Sequence, residues 1–230
     1  MNTPNTSKIK EALEKISKDR VRTNILKVHE QNLLAFLVQR IPKWINSDML
    51  TAIGFKGSLV VCASFILAKY VNNYWILLNI LGFAINWFGD SLDGRLAYYR
   101  NKPHKWYGFS LDVIVDWIGI ILIGIGYIIY IDVQYKLIGF CFVVLYGWSM
   151  MMALLRYKIT DKYTIDSGII GPTEIRIILS IIISLEVLVK DSLLYLGILA
   201  CIVLFAVNMF DFITLLRKAK ARDDEEIKRS

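Results

Sequence analysis

Four aspartates dominate the chemistry that this sequence could perform, and all of them fall within residues 89–116. Asp90 and Asp93 are three residues apart, and Asp112 and Asp116 are four apart, so each pair would share one face of a helix. Carboxylate oxygens favour a hard cation such as Mg²⁺ or Mn²⁺. Four carboxylates suffice for two such ions, an arrangement common in phosphoryl chemistry, and one carboxylate can also act as a general base.

The elements that carry these aspartates have the composition of membrane-spanning helices. The 230-residue chain is 56% hydrophobic and has a mean hydropathy of +0.49, whereas soluble domains are about 45–50% apolar. A span needs roughly 20 apolar residues, and six runs qualify: 48–70, 74–97, 108–131, 135–157, 171–190 and 192–215. We therefore predict an all-α, polytopic membrane protein with six transmembrane helices. Residues 47–216 would form its single membrane domain, between an N-terminal region, 1–46, and a charged tail, 217–230.

The distribution of basic residues predicts the orientation of these spans. Most of the 27 lysines and arginines fall in the two terminal regions and in the loops 98–107 and 156–170. By contrast, Lys69, Lys136 and Lys190 are the basic residues of the other side. The positive-inside rule then predicts a multi-pass protein of the inner, or cytoplasmic, membrane with both termini and the acidic site in the cytoplasm. We assign the net charge of +7 to contact with anionic lipid headgroups, and we expect no nucleic-acid partner.

The N-terminal region is expected to contain an interfacial amphipathic helix. Residues 25–45 are too charged to span a bilayer but carry a broad apolar face that includes Leu33, Phe36 and Trp44. Such a helix typically lies in the plane of the interface, and the alternative is an ordinary cytoplasmic helix. The first 20 residues have no apolar core of a signal peptide, so we expect insertion to begin with the first span.

The acidic stretch resembles the signature of the CDP-alcohol phosphatidyltransferase family, D-x2-D-G-x2-A-R, a short spacer and G-x3-D-x3-D. Asp90 and Asp93 are followed by Gly94 and Ala97, and after ten residues come Gly108, Asp112 and Asp116 in the same register. The resemblance covers roughly residues 40–215. One position departs, because Tyr98 stands where the family has its arginine. Arg95 or Arg100 is a candidate to supply that charge.

The resemblance implies a specific set of roles. The four aspartates, Asp90, Asp93, Asp112 and Asp116, would hold two divalent ions that engage the diphosphate of a CDP-linked donor. Asp116 would also deprotonate the acceptor hydroxyl, and CMP would leave. Nucleotide-binding residues would be Thr51, Asp90, Gly94, Ala97 and Gly108. The resemblance further implies a homodimer in contact with membrane lipids.

The acceptor is predicted from basic residues at the cytoplasmic ends of other spans. Lys56, Arg156 and Arg176 would suit a small polar alcohol that carries a phosphate, with CDP-diacylglycerol as the donor. Alternatively, these side chains bind lipid phosphates at the interface or pair with each other. The same aspartates would serve a CDP-choline or CDP-ethanolamine donor with diacylglycerol as acceptor. A divalent-cation transporter is the non-enzymatic alternative, since intramembrane acids also mark transport sites.

Overall fold

The computed structural model describes residue 13 and residues 26–160 and 171–229. These residues form seven α-helices and no strand. The helices are α1 (Lys27–Val38), α2 (Ser47–Tyr70), α3 (Leu78–Tyr99), α4 (Lys105–Tyr130), α5 (Lys136–Thr160), α6 (Pro172–Leu185) and α7 (Ser192–Arg229). Two short 3₁₀ helices, Asn73–Leu77 and Val133–Tyr135, lead into α3 and α5. The all-α prediction is therefore confirmed for the described part of the chain.

Five of the elements are long and apolar enough to cross a membrane. They are Ser47–Tyr70, Asn73–Tyr99, Lys105–Tyr130, Val133–Thr160 and Ser192–Lys228. Each has at least 24 residues, compared with the roughly 20 that the hydrocarbon core requires. Together they indicate an integral membrane protein, as the hydropathy of the sequence predicts.

The predicted span 171–190 is not confirmed as a full-length helix. Pro172 begins α6 in its first turn, as expected, but α6 has only 14 residues and ends at Leu185. Such a helix is about 21 Å long, against about 30 Å for the hydrocarbon core. The helix ends because the carboxylate of Glu186 accepts hydrogen bonds from the backbone N–H groups of Leu193 (2.7 Å) and Asp191 (3.0 Å). These bonds draw the chain into the turn that starts α7.

The predicted interfacial helix 25–45 is shorter than expected, and its amphipathic placement is not confirmed. Helix α1 covers Lys27–Val38, and its residues Leu34 and Val38 are completely buried against Leu50 of α2 and residues of α3. On the same helix, Leu33 is 46% exposed. The apolar side of α1 is thus used mainly for packing on the protein.

Glycines allow α2 and α3 to pack with their backbones in contact. A Cβ atom at Gly57 would overlap the backbone of Asn86, and one at Gly89 would overlap the backbone of Gly54. Small residues commonly permit such close approach between membrane helices. As a result, the acidic half of α3 lies directly against the first half of α2.

A series of polar contacts joins α5 to α7. Asn208 donates to the carbonyl of Leu145 (2.8 Å) and accepts from the Ser149 hydroxyl (2.6 Å). Further along both helices, Arg156 pairs with Asp211 at 2.7 Å. Later residues of α5 contact later residues of α7, so the two helices run in the same direction.

Candidate active site

Helices α3 and α4 bring three of the four aspartates together. One oxygen atom from each of Asp90, Asp112 and Asp116 lies within 4.8 Å of the other two. Residues 90 and 112 belong to helices joined by a short loop, and the spacing of Asp112 and Asp116 puts both on one face of α4. A cluster made of carboxylate oxygens fits the ligand preference of Mg²⁺ or Mn²⁺.

Asp93 lines the same cavity as the other three aspartates but is held by helix α2. The cavity is formed by all four carboxylate residues together with Thr51, Gly54, Phe55, Asn86 and Val115. Thr51 donates a hydrogen bond from its hydroxyl to Asp93 Oδ2 at 2.7 Å, and Ser47 donates to the Asp93 carbonyl at 2.7 Å. Asp93 itself is only 6% exposed. The four acids predicted to act together therefore share one cavity.

Arg176 reaches this acidic cluster from helix α6. Its Nη2 atom donates to Asp90 Oδ2 at 2.6 Å, and its Nε atom donates to the Asn86 side-chain oxygen at 2.6 Å. The Nη1 atom of the same guanidinium is buried and has no hydrogen-bond partner within the described ranges. Of the basic residues predicted to bind the acceptor, Arg176 is the one that contacts an aspartate of the site.

The other two basic candidates lie elsewhere in the described structure. Arg156 forms its ion pair with Asp211 on α7, a residue outside the acidic cavity. Lys56 has an exposed side chain on α2 and does not line the acidic cavity. Their predicted contact with an acceptor is therefore not supported by a direct link to the aspartates.

Two of the candidate nucleotide-binding residues, Thr51 and Asp90, line the acidic cavity, and the other three do not. Thr51 lines the cavity, whereas Gly94 and Ala97 follow Asp93 on α3 with partly buried positions. At Gly108, near the start of α4, a Cβ atom would meet nothing within 4 Å among the described residues. Gly108 thus borders open space, whereas Gly57 and Gly89 are needed for helix packing.

The two arginines near Tyr98 contact the segment that precedes α2 and do not line the acidic cavity. Arg95 pairs with Glu30 of α1 at 3.8 Å, and both side chains are buried. Arg100 donates to the backbone carbonyls of Pro42 (2.9 Å) and Ile45, in the connection between α1 and α2. Both residues therefore link the N-terminal segment to α3, and a role for either in place of the family arginine stays a prediction.

Asn86 is a site residue that the aspartate pattern did not identify. It precedes Asp90 by one helical turn and lines the acidic cavity. A sequence signal for it does exist, because an amide side chain within an apolar span is costly unless it has partners. The cost of burying an amide is smaller than that of burying a carboxylate, so Asn86 gives a weaker signal than the nearby aspartates.

The protein is an integral membrane protein with a cluster of acidic side chains suited to divalent cations. The family model of the CDP-alcohol phosphatidyltransferases matches residues 44–210. The match covers most of the 230 residues, so the chain belongs to this family of enzymes, and the resemblance in the sequence is confirmed. No curated protein matches the chain.

Family membership establishes the general activity. Enzymes of this family transfer a substituted phosphate group from a CDP-linked donor to an alcohol, and they depend on divalent metal ions. The family thereby identifies the chain as a transferase of phospholipid biosynthesis, and it does not support the divalent-cation transporter. The carboxylate cluster of Asp90, Asp112 and Asp116 fits the metal dependence, because its ligand atoms are all oxygen.

Proposed function

We propose that this enzyme transfers a phosphatidyl group from CDP-diacylglycerol to the hydroxyl of a small polar alcohol or alcohol phosphate, with release of CMP. The observation that carries the proposal is the cavity lined by all four signature aspartates, three of which offer oxygens within 4.8 Å of one another. Such a concentration of acids inside a membrane domain is costly unless cations bind there.

The four aspartates would bind two divalent ions, Mg²⁺ or Mn²⁺, with Asp116 also acting as the base. When bound, the ions would neutralise the negative charge of the donor diphosphate. Asp116 accepts the proton of the acceptor hydroxyl. The resulting alkoxide oxygen forms a bond to the phosphorus of the phosphatidyl group, and the bond between that phosphorus and the CMP oxygen breaks. Thr51 holds Asp93 in place through its 2.7 Å hydrogen bond.

The nucleotide would bind at the opening of the cavity. Small residues at Gly94 and Ala97 leave room on α3 for the cytidine, and the open space at Gly108 leaves room on α4. Thr51 and Asp90 would lie on the phosphate side, since both line the acidic cavity. In this arrangement, the glycines and Ala97 would lie beside the cytidine, and Thr51 and Asp90 would lie beside the phosphates.

A groove between α3 and α6 supports a lipid-linked donor. It has a volume of about 800 Å³ and is lined mainly by apolar side chains, including Ile80, Phe83, Ile177 and Ile181. Arg176, which contacts Asp90, also lines the groove. Acyl chains in this groove would therefore place the attached phosphate beside the aspartates.

Arg176 also supports an acceptor that carries a phosphate. Its buried Nη1 atom has no partner among residues 26–160 and 171–229, and guanidinium N–H groups bind phosphate oxygens strongly. Lys56 and Arg156 would contribute only at longer range, since neither lines the acidic cavity. A phosphorylated alcohol would bind to the Arg176 guanidinium more favourably than an uncharged alcohol.

The membrane arrangement that we propose has six crossings and cytoplasmic termini. Helix α6 lies along α3 from Asp90, which contacts Arg176, to Asn79, which accepts from Ser180 at 3.0 Å. The turn that follows reaches Asn73, whose side chain donates to the Glu186 carbonyl. Helix α6 and its turn therefore contact α3 and the 3₁₀ helix before it between residues 73 and 90, which supports a crossing. We further propose that the enzyme forms a homodimer in the cytoplasmic membrane.

The test is CMP release by the purified enzyme in detergent with Mg²⁺. CDP-diacylglycerol is paired in turn with inositol phosphate, glycerol phosphate, inositol, glycerol and serine, while CDP-choline and CDP-ethanolamine are paired with diacylglycerol. We expect CMP from CDP-diacylglycerol with a phosphorylated acceptor, and no CMP after EDTA treatment. CMP formed only from CDP-choline or CDP-ethanolamine would contradict the proposed donor. It would favour transfer of the phosphorylated alcohol to diacylglycerol.

A further inference from the structure

Asn86 connects three helices through one side chain. Its amide nitrogen donates to the Gly54 carbonyl (3.1 Å) and to the Ser58 hydroxyl (3.2 Å), both on α2. Its amide oxygen accepts from Arg176 Nε on α6 at 2.6 Å. Asn86 itself belongs to α3, so its amide ties Arg176 to the packed α2–α3 pair.

Arg176 is consequently held at two points of its planar guanidinium. Nε is fixed by Asn86, and Nη2 is fixed by its 2.6 Å ion pair with Asp90 Oδ2. A guanidinium held in this way restricts the rotation of the Asp90 carboxylate, because turning Oδ2 away from the fixed Nη2 donor would break a charge-assisted hydrogen bond. The orientation of Asp90 thus depends on a residue one turn earlier in its own helix.

We propose that Asn86 is a positioning residue for divalent-metal binding: it holds Arg176, and Arg176 orients Asp90 toward Asp112 and Asp116. This inference rests on the metal site of the proposed function and adds a determinant of its affinity. A carboxylate that is already oriented loses less freedom when it binds an ion. Partners of metal ligands typically change metal affinity by about 10–100-fold when they are removed.

The first experiment measures Mn²⁺ binding to the purified full chain in detergent, by the electron paramagnetic resonance signal of free Mn²⁺. In Asn86→Leu, which has a similar volume but no amide, we expect the dissociation constant to rise by about tenfold or more. Ser58→Ala is the matched control, because it removes one bond of Asn86 and leaves the bond to Arg176. We expect the control to change Mn²⁺ affinity less than Asn86→Leu does.

Enzyme assays distinguish positioning from a general structural defect. In Asn86→Leu we expect the Mg²⁺ concentration for half-maximal CMP release to rise about tenfold, so that added Mg²⁺ recovers part of the lost rate. A purely structural role would lower the maximal rate without weakening Mn²⁺ binding. That outcome would contradict the proposal.

Arg176→Lys provides a second route if Asn86→Leu does not fold. Lysine keeps the charge, but its single nitrogen cannot replace the Nε and Nη2 bonds of the guanidinium, so Mn²⁺ binding should weaken similarly. Combined with Asn86→Leu where both fold, the two losses should be less than additive, since both act through Asp90. Unchanged or tighter Mn²⁺ binding in a folded variant would overturn the inference. A wild-type protein that binds no Mn²⁺ would instead overturn the proposed metal site.

Discussion

At the scale of single residues, charged side chains in this protein are distinguished by their partners more than by their type. Arg95 and Arg100 bind the N-terminal segment, Arg156 binds Asp211, and Arg176 binds Asp90. A buried charge is tolerated when a partner and further hydrogen bonds compensate for the loss of water. Of the contacts named here, that of Arg176 joins an aspartate of the candidate site.

Asp116→Asn tests the proposed base. The amide keeps the size of the side chain but cannot accept the proton of the acceptor, so we expect CMP formation to fall by about 10²–10⁴-fold. The rate of CMP release with the identified substrate pair is the measurement. Asp132→Asn is the matched control, because Asp132 is 76% exposed and pairs only loosely, at 3.6 Å, with Lys69. Activity within a small factor of the wild type in Asp116→Asn would exclude Asp116 as the base.

At the scale of helices, the site depends on close packing of α3 against its neighbours. Its glycines meet the backbone of α2, and Leu92 and Leu96 lie on the same side of α3, where they are buried with Leu50 of α2 and with α1. Asp93 accepts a hydrogen bond from Thr51 of α2, whereas Asp90 pairs with Arg176 of α6. The packing of α2 on α3 and the positions of these acids therefore depend on one another.

Gly89→Ala tests the packing of α2 on α3. The added Cβ would overlap the backbone around Gly54, and overpacking of this kind costs about 1–3 kcal/mol. We expect a lower thermal unfolding temperature in detergent, measured by circular dichroism. Gly108→Ala is the control for the added methyl group, since a Cβ there meets open space. The control should unfold like the wild type but show a raised KM for the CDP-linked donor if Gly108 borders the nucleotide.

Glu30→Ala tests the attachment of α1. The side chains of Glu30 and Arg95 are only 3% and 4% exposed, and removal of one partner of a buried ion pair destabilises by about 3–5 kcal/mol. Glu226→Ala is the comparison, because Glu226 pairs with Arg222 at an exposed position where such pairs contribute about 0–1 kcal/mol. Equal unfolding temperatures for the two variants would show that α1 is not anchored through Glu30.

At the scale of the whole molecule, the proposed topology and the proposed binding of the lipid donor both depend on the arrangement of α6. This helix is too short to span by itself, yet it connects the acidic cluster near Asp90 to the turn around Glu186 at the other end of α3. The same helix forms one wall of the apolar groove. The proposed sixth crossing and the proposed lipid groove therefore involve the same helix.

Cysteine labelling with a membrane-impermeant maleimide tests the six-crossing arrangement. In a variant whose three native cysteines are replaced, Lys43→Cys and Asp224→Cys should react from the cytoplasmic side of the membrane. Asn72→Cys and Lys190→Cys should react from the other side. The measurement compares intact cells with inverted membrane vesicles. If positions 43 and 224 react from opposite sides, the chain crosses an odd number of times and the proposed topology is wrong.

Ile181→Trp tests whether the groove holds the acyl chains of the donor. Ile181 lines the groove and is 60% exposed, so the larger side chain should fill part of it. We expect a raised KM for CDP-diacylglycerol with little change in unfolding temperature. Ile202→Trp on α7 is the control, because Ile202 has a similar exposure of 61% and lies outside the groove. An equal KM in both variants would argue against lipid in the groove.

The sequence alone determined the features that depend on short stretches of chain. Hydropathy identifies the five long spans because each is a continuous apolar run, and the spacing of Asp90 and Asp93 or of Asp112 and Asp116 determines a shared helix face. The family signature has the same local character, so it predicted the four acids that share the cavity. For α1, local apolar periodicity suggested a surface helix, but it could not reveal that Leu34 and Val38 would be covered by other parts of the chain.

Only the tertiary structure decided which distant polar groups meet. Asn86 and Arg176 are 90 residues apart in the sequence, and Glu30 and Arg95 are also far apart in the sequence but form an ion pair. Helix α6 likewise ends early, at Leu185, because the Glu186 carboxylate accepts a hydrogen bond from the backbone at the start of α7. A buried polar group gains stability from whichever partner the fold places beside it, and the choice among several basic residues therefore follows from the packing of the helices.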